Sequence, residues 1–217
     1  MFVGHLGAGL AAKRLAPSVN LGVLFLAAMG LDALLWIFVL LGLEAIHVPE
    51  NFEKAHYLTF TFPYSHGLVS SLAWSVAALA VARSLGWRAT AGLVVAGTVF
   101  SHFVLDALVH VVGLPLLGSE SYHLGLGLWR HPAVELPLEG AIGVFGWWLY
   151  VRTPGSARGG ARWALGAVVV LCGLMTMMGA LATEPPPRPA IMATASLATI
   201  AIVSFLAGWL DRRGSST

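Results

Sequence analysis

The residues that invite a chemical reading stand inside apolar runs. The segment SHFVLDALVH places His102, Asp106 and His110 at i, i+4 and i+8. Residues four apart stack on one helix face, so two imidazoles and a carboxylate share a stripe. HxxxD on a helix is a good metal-ligand spacing, because successive turns can present nitrogen and oxygen to one ion. Glu135 and Glu139 repeat the i, i+4 relation further along. Asp32 falls in the first long apolar run, His66 at the head of the second, and His5 close to the start of the chain. An ionisable group at a bilayer centre costs about 2.5–3.5 kcal/mol on insertion scales. Such groups persist where they pair, bind an ion or line a wet cavity.

The elements that position these groups are helices of a membrane protein. Of 217 residues, 58% are hydrophobic and 10% charged, against about 25% charged in an average soluble domain. The net charge of +2 excludes an electrostatic case for nucleic acid. One cysteine, Cys172, rules out a disulfide framework. Apolar stretches at 20–43, 64–83, 90–113, 133–151, 162–183 and 190–210 each have the length of a bilayer crossing. Short connections rich in Pro and Gly separate them. The sequence therefore predicts an all-α, polytopic membrane helix bundle in a single domain, residues 1–217. About six transmembrane helices follow a short N-terminal helix in residues 1–16. Residues 17–151 carry the site and 152–217 form two scaffold helices. No span is visibly broken in mid-membrane, and no repeat appears.

Nine of the 12 Lys and Arg residues fall on one side of this layout, which puts both termini in the cytoplasm. With a rise of about 1.5 Å per residue, Asp32, His66, His102, Asp106, Glu135 and Glu139 share one layer in the outer half of the membrane. His5 joins them if the short helix is re-entrant with Met1 deepest, and it lies at the headgroups if that helix rests on the surface. His47, His56, His123 and His131 fall in outer loops and read as solvated. Gly140, Gly143 and Gly146 form a small-residue stripe suited to close helix contact.

The arrangement resembles a bacterial family of membrane-bound metal-dependent hydrolases. The resemblance rests on His5, Asp32, the Tyr64-Ser65-His66-Gly67 segment, and His102 with Asp106. It covers about the first 115 residues. The remainder, with SYHLGLGLW at 121–129, is similar to an uncharacterised subgroup of small membrane proteins beginning MFVGH. Two departures stand out: Asp32 is followed by Ala33-Leu34 instead of a second aspartate, and Pro63-Tyr64 replaces Arg-Gly. The resemblance implies a divalent metal, Zn²⁺ with Mn²⁺ as the alternative, held by His5, Asp32, His66, His102 and Asp106. Glu135 or Glu139 would then serve as general base or acid, and His110 as an orienting group or extra ligand. Arg130 would steady the headgroup of a lipid or lipid-linked substrate. The expected location is the bacterial cytoplasmic (inner) membrane. The same cluster could instead serve an ion or proton pathway, or only fix helix packing.

Overall fold

The computed structural model describes residues 1–215. The chain is mostly helical. In order come α1 (Val3–Leu15), α2 (Leu21–Ala28), α3 (Gly30–Leu40), the strand β1 (Ala45–His47), the single turn α4 (Phe52–Ala55) and β2 (Thr59–Thr61). Then follow α5 (Leu68–Ser84), α6 (Ala89–Val109), β3 (Leu114–Pro115), β4 (His123–Leu124), α7 (Pro132–Val151), α8 (Gly159–Ala180) and α9 (Pro189–Ser215). The strands form two small antiparallel hairpins, β1–β2 and β3–β4.

All six apolar stretches are helical, but they are not equivalent. Among the described residues, three helices are long and apolar enough to cross a membrane: α6, α8, and α9 over Pro189–Arg213. A fourth crossing is present if α2 and α3 count as one. That pair corrects the expectation of unbroken spans, because the two helices are bent by 56°. The break falls at Met29-Gly30, and glycine is a poor residue for a helix interior. The second stretch yields 17 residues in α5. The fourth, α7, carries Glu135, Glu139 and an internal Pro137.

The short N-terminal helix is the centre of the bundle. α1 packs against α7, α2, α6 and α8, and its first two turns are buried from Val3 to Gly7. The approach to α7 depends on glycine. A Cβ on Gly146 would collide with the Gly7 carbonyl, and one on Gly143 would press on Val3 Cγ2 at 3.3 Å. Gly140, the third member of the expected stripe, faces open space instead.

At the end of the bundle away from His5, polar groups tie four helices. Lys13 is buried and donates to Asp211 Oδ2 (2.7 Å) and to the Val19 carbonyl (2.8 Å). Asp211 also accepts from the Leu21 amide (3.0 Å) and the Tyr150 hydroxyl (2.8 Å). Asn20 caps α2 by accepting from the Gly22 amide and donates to the Gly208 carbonyl.

Candidate metal centre

Each side chain of the cluster is delivered by a different local device. The break after Ala28 begins a new helix at Gly30, and Asp32 lies in its first turn. A helix N-terminus favours a carboxylate. The last carbonyls of a helix lack partners within it, and the Ala28 carbonyl at the end of α2 accepts from His102 Nδ1 at 2.7 Å. One break therefore places Asp32 and orients His102. His66 is not on a span; it sits in the loop before α5, whose N-cap is Gly67. His102 and Asp106 share the buried face of α6. That helix ends at Val109, earlier than the stretch 90–113, so His110 is its C-cap residue. His5 rides on buried α1.

The side chains converge. His66 Nε2 lies 3.2 Å from His102 Nε2, 3.4 Å from Asp32 Oδ1 and 3.5 Å from Asp106 Oδ2. His102 Nε2 lies 3.7 Å from Asp32 Oδ1 and 3.3 Å from Asp106 Oδ2. His5 Nε2 stands 3.1 Å from Asp106 Oδ1, and its ring stacks on His102 at 3.7 Å. His5 thus reaches the cluster. His110 Nε2 is 3.3 Å from Asp106 Oδ2, with Trp129 against its ring at 3.9 Å. The loop 121–129 closes over His110 through Gly125, whose φ of 144° and contact with the His110 and Val111 carbonyls leave no room for a Cβ. His102 and Asp106 are buried, whereas the Asp32 side chain is 24% exposed.

Proton positions follow from the outer partners. A carbonyl only accepts, so His102 Nδ1 carries a proton, and whenever the ring is neutral its Nε2 presents a lone pair. Ser65 Oγ lies 2.7 Å from both Glu44 Oε2 and His66 Nδ1. A carboxylate only accepts, so Ser65 donates its hydroxyl proton to Glu44 and its oxygen accepts a hydrogen bond from His66 Nδ1–H. Glu44 is fixed in turn by the amides of Tyr64 and Ser65, each at 2.9 Å. His66 Nε2 then also presents a lone pair. Each of these two Nε2 atoms lies 3.2–3.7 Å from the other and from a carboxylate oxygen of both Asp32 and Asp106. Oxygens and nitrogens bound to a tetrahedral ion at about 2.0–2.2 Å stand about 3.3–3.6 Å apart. The cluster could hold a metal ion, and the triads His5–Asp32–His102 and His66–His102–Asp106 each bring their ligand atoms within 4.8 Å.

No family model, curated protein or solved structure matches the chain. The site therefore stands on its own geometry.

Two cavities adjoin it. One, of about 390 Å³, lies among the ends of α7, α8 and α9 and the loop of residues 52–60; Glu135 and Glu139 line it. Both glutamates are buried, and the Gly4 amide donates to Glu139 Oε1 at 3.1 Å. The other, of about 380 Å³, lies between α3, α8 and α9 and is lined by Asp32. Phe2 and Thr176 line both. Arg130 is exposed and lines neither. Of the loop histidines, His56 departs from the solvated reading: it is half-buried, lines the first cavity, and its Nδ1 donates to the Ala182 carbonyl at 2.8 Å. Sequence reasoning missed Glu44 and the Ala28 carbonyl. The serine directly before His66 was the available signal for the first; the second had none.

Proposed function

We propose that this protein is a membrane-embedded, metal-dependent hydrolase acting on a lipid or lipid-linked phosphoester. The observation that carries the reading is the convergence of the His66 and His102 Nε2 atoms on each other and on a carboxylate oxygen of both Asp32 and Asp106, at 3.2–3.7 Å. Four acceptors at that distance repel one another unless a cation or protons separate them. The mixture of nitrogen and carboxylate oxygen suits zinc or manganese better than calcium. Such an ion supplies Lewis acidity and lowers the pKa of water to about 7.

The protein's own groups have separable tasks. Ser65–Glu44 and the Ala28 carbonyl hold the His66 and His102 rings in the ligating tautomer. His5 and His110 orient Asp106, and His5 remains a candidate ligand with Asp32 and His102. Glu135, buried at the cavity wall, is the group proposed to take or give the proton. The lipid assignment is supported by the helices apolar enough to cross a membrane and by the cavity between α3, α8 and α9 that reaches Asp32. The finer topology proposed is six crossings with both termini in the cytoplasm of a bacterium, which puts the cluster in the outer half of the inner membrane. Membership of the membrane-bound metal-dependent hydrolases belongs to the same proposal.

The test is metal analysis of detergent-purified protein, followed by headgroup release from phospholipid. Wild type is expected to hold one equivalent of metal and to cleave lipid; His102→Ala with Asp106→Ala is expected to do neither. Folded, metal-free wild type that cleaves nothing overturns the proposal. A second reading, an ion or proton pathway, is favoured by the α2–α3 break beside Asp32, because discontinuous helices form ion sites in transporters. Ion flux into proteoliposomes without lipid cleavage would select it.

A further inference from the structure

The cavity at Glu135 and Glu139 has a chemistry of its own. Its wall combines aromatic rings from Phe52, Tyr57, Phe60 and Trp129 with the carboxylates of Glu135, Glu139 and Glu184. Among the described residues lining it there is no lysine or arginine. His56 is committed through Nδ1 to the Ala182 carbonyl. Glu139 is 1% exposed, its Oε1 accepts from the Gly4 amide, and its Oε2 has no hydrogen-bond partner among the described residues. A buried carboxylate oxygen without a partner is costly, and a donor or cation in the cavity would relieve that cost. Aromatic faces attract cations, most strongly when water is excluded. An anionic group would meet the Glu139 and Glu184 carboxylates, while the one basic group on the wall, the Met1 ammonium, is held 3.7 Å from Asp106 Oδ1.

We propose that this cavity binds an ammonium group, and that the lipid substrate carries an ammonium nitrogen in its headgroup. The substrate half rests on the hydrolase reading; the binding half does not. Glu139 Oε2 supplies the charge, Trp129 and its aromatic neighbours the cation-accepting faces, and Glu184 an anionic mouth. The arrangement excludes anionic headgroups by repulsion and leaves exposed Arg130 without a part in recognition.

The first arm titrates tetramethylammonium chloride into detergent-purified, full-length protein against a potassium chloride control, reading tryptophan fluorescence. A saturable change is expected with tetramethylammonium only. Trp129→Phe should abolish it, and Glu184→Gln should weaken it about tenfold. Glu139→Gln should weaken it at least as much, and Glu184→Gln keeps the test valid if that buried substitution fails to fold. Identical titrations for the two salts, or saturation unchanged in Trp129→Phe and Glu184→Gln, overturn the proposal. The second arm compares cleavage of phosphatidylethanolamine and phosphatidylglycerol in mixed micelles. A KM about tenfold lower for the ammonium headgroup is expected; equal values, or preference for phosphatidylglycerol, overturn the substrate half. Saturable binding with no cleavage of either lipid keeps the ammonium site and sinks the hydrolase reading.

Discussion

Asp106 faces four imidazoles, those of His5, His66, His102 and His110, all within 3.5 Å of its oxygens. Neutral rings cannot all donate to it, since His66 and His102 have committed their protons elsewhere. Removing the carboxylate therefore removes both a ligand and the partner of two orienting histidines. Asp106→Asn is expected to abolish tight metal binding, as measured by metal retained through a desalting column. The outer groups should act more gently: Glu44→Gln or Ser65→Ala is expected to weaken metal affinity about 10–100-fold, read by competition with a chromophoric chelator. An unchanged affinity would mean that the Ser65–Glu44 relay does not set the His66 tautomer. At this scale the sequence was informative about identity and poor about partnership. His5, Asp32, His66, His102 and Asp106 announce themselves as ionisable groups in or beside apolar runs. Glu44 does not, because a carboxylate just past an apolar run reads equally well as a solvated boundary charge; only the backbone fold of residues 62–67 brings Ser65 and His66 to it.

Helices with no polar face still need a reason to pack, and here α1 and α7 find it in glycine. Gly146→Leu would drive a side chain into the Gly7 backbone. The expected result is a loss of thermal stability of about 1–3 kcal/mol or more, read as a lower unfolding temperature in detergent. Gly140→Leu, facing open space, should leave that temperature nearly unchanged. The pair separates close contact from a general dislike of large residues on α7. The six apolar stretches were readable because hydropathy records composition, and each did become helix. The α2–α3 break was not, since LGVLFLAAMGLDALLWIFVL is apolar throughout, and a single glycine is tolerated in many straight helices. A tertiary contact sits at the bend: the Ala28 carbonyl accepts from His102, which lies 74 residues later.

The bundle as a whole is held at its other end by a buried ion pair. Lys13 counted among the cytoplasmic charges in the sequence, yet it is buried against Asp211. Breaking a buried pair by removing one partner costs about 3–5 kcal/mol, so Asp211→Ala should lower the unfolding temperature sharply while leaving the metal ligands in place. Chelation supplies the complementary measurement. Removing metal should lower the unfolding temperature of wild type and leave His102→Ala unaffected, because only a folded state that binds the ion is stabilised by it. Reporters fused at Lys54 and Arg158 test the proposed topology; an external Arg158 would invert it. The sequence set out the order of the apolar helices. It did not show that α1, at 13 residues too short to span, would be the axis of the molecule, since burial by neighbours leaves no mark on a helix's own composition.

Phe2 and Thr176 are the two side chains common to the cavity at Glu139 and the cavity at Asp32. These two cavities therefore share a thin wall. Phe2→Ala should join them and let bulkier or branched tails be accommodated, a change visible as altered chain-length selectivity with metal content untouched.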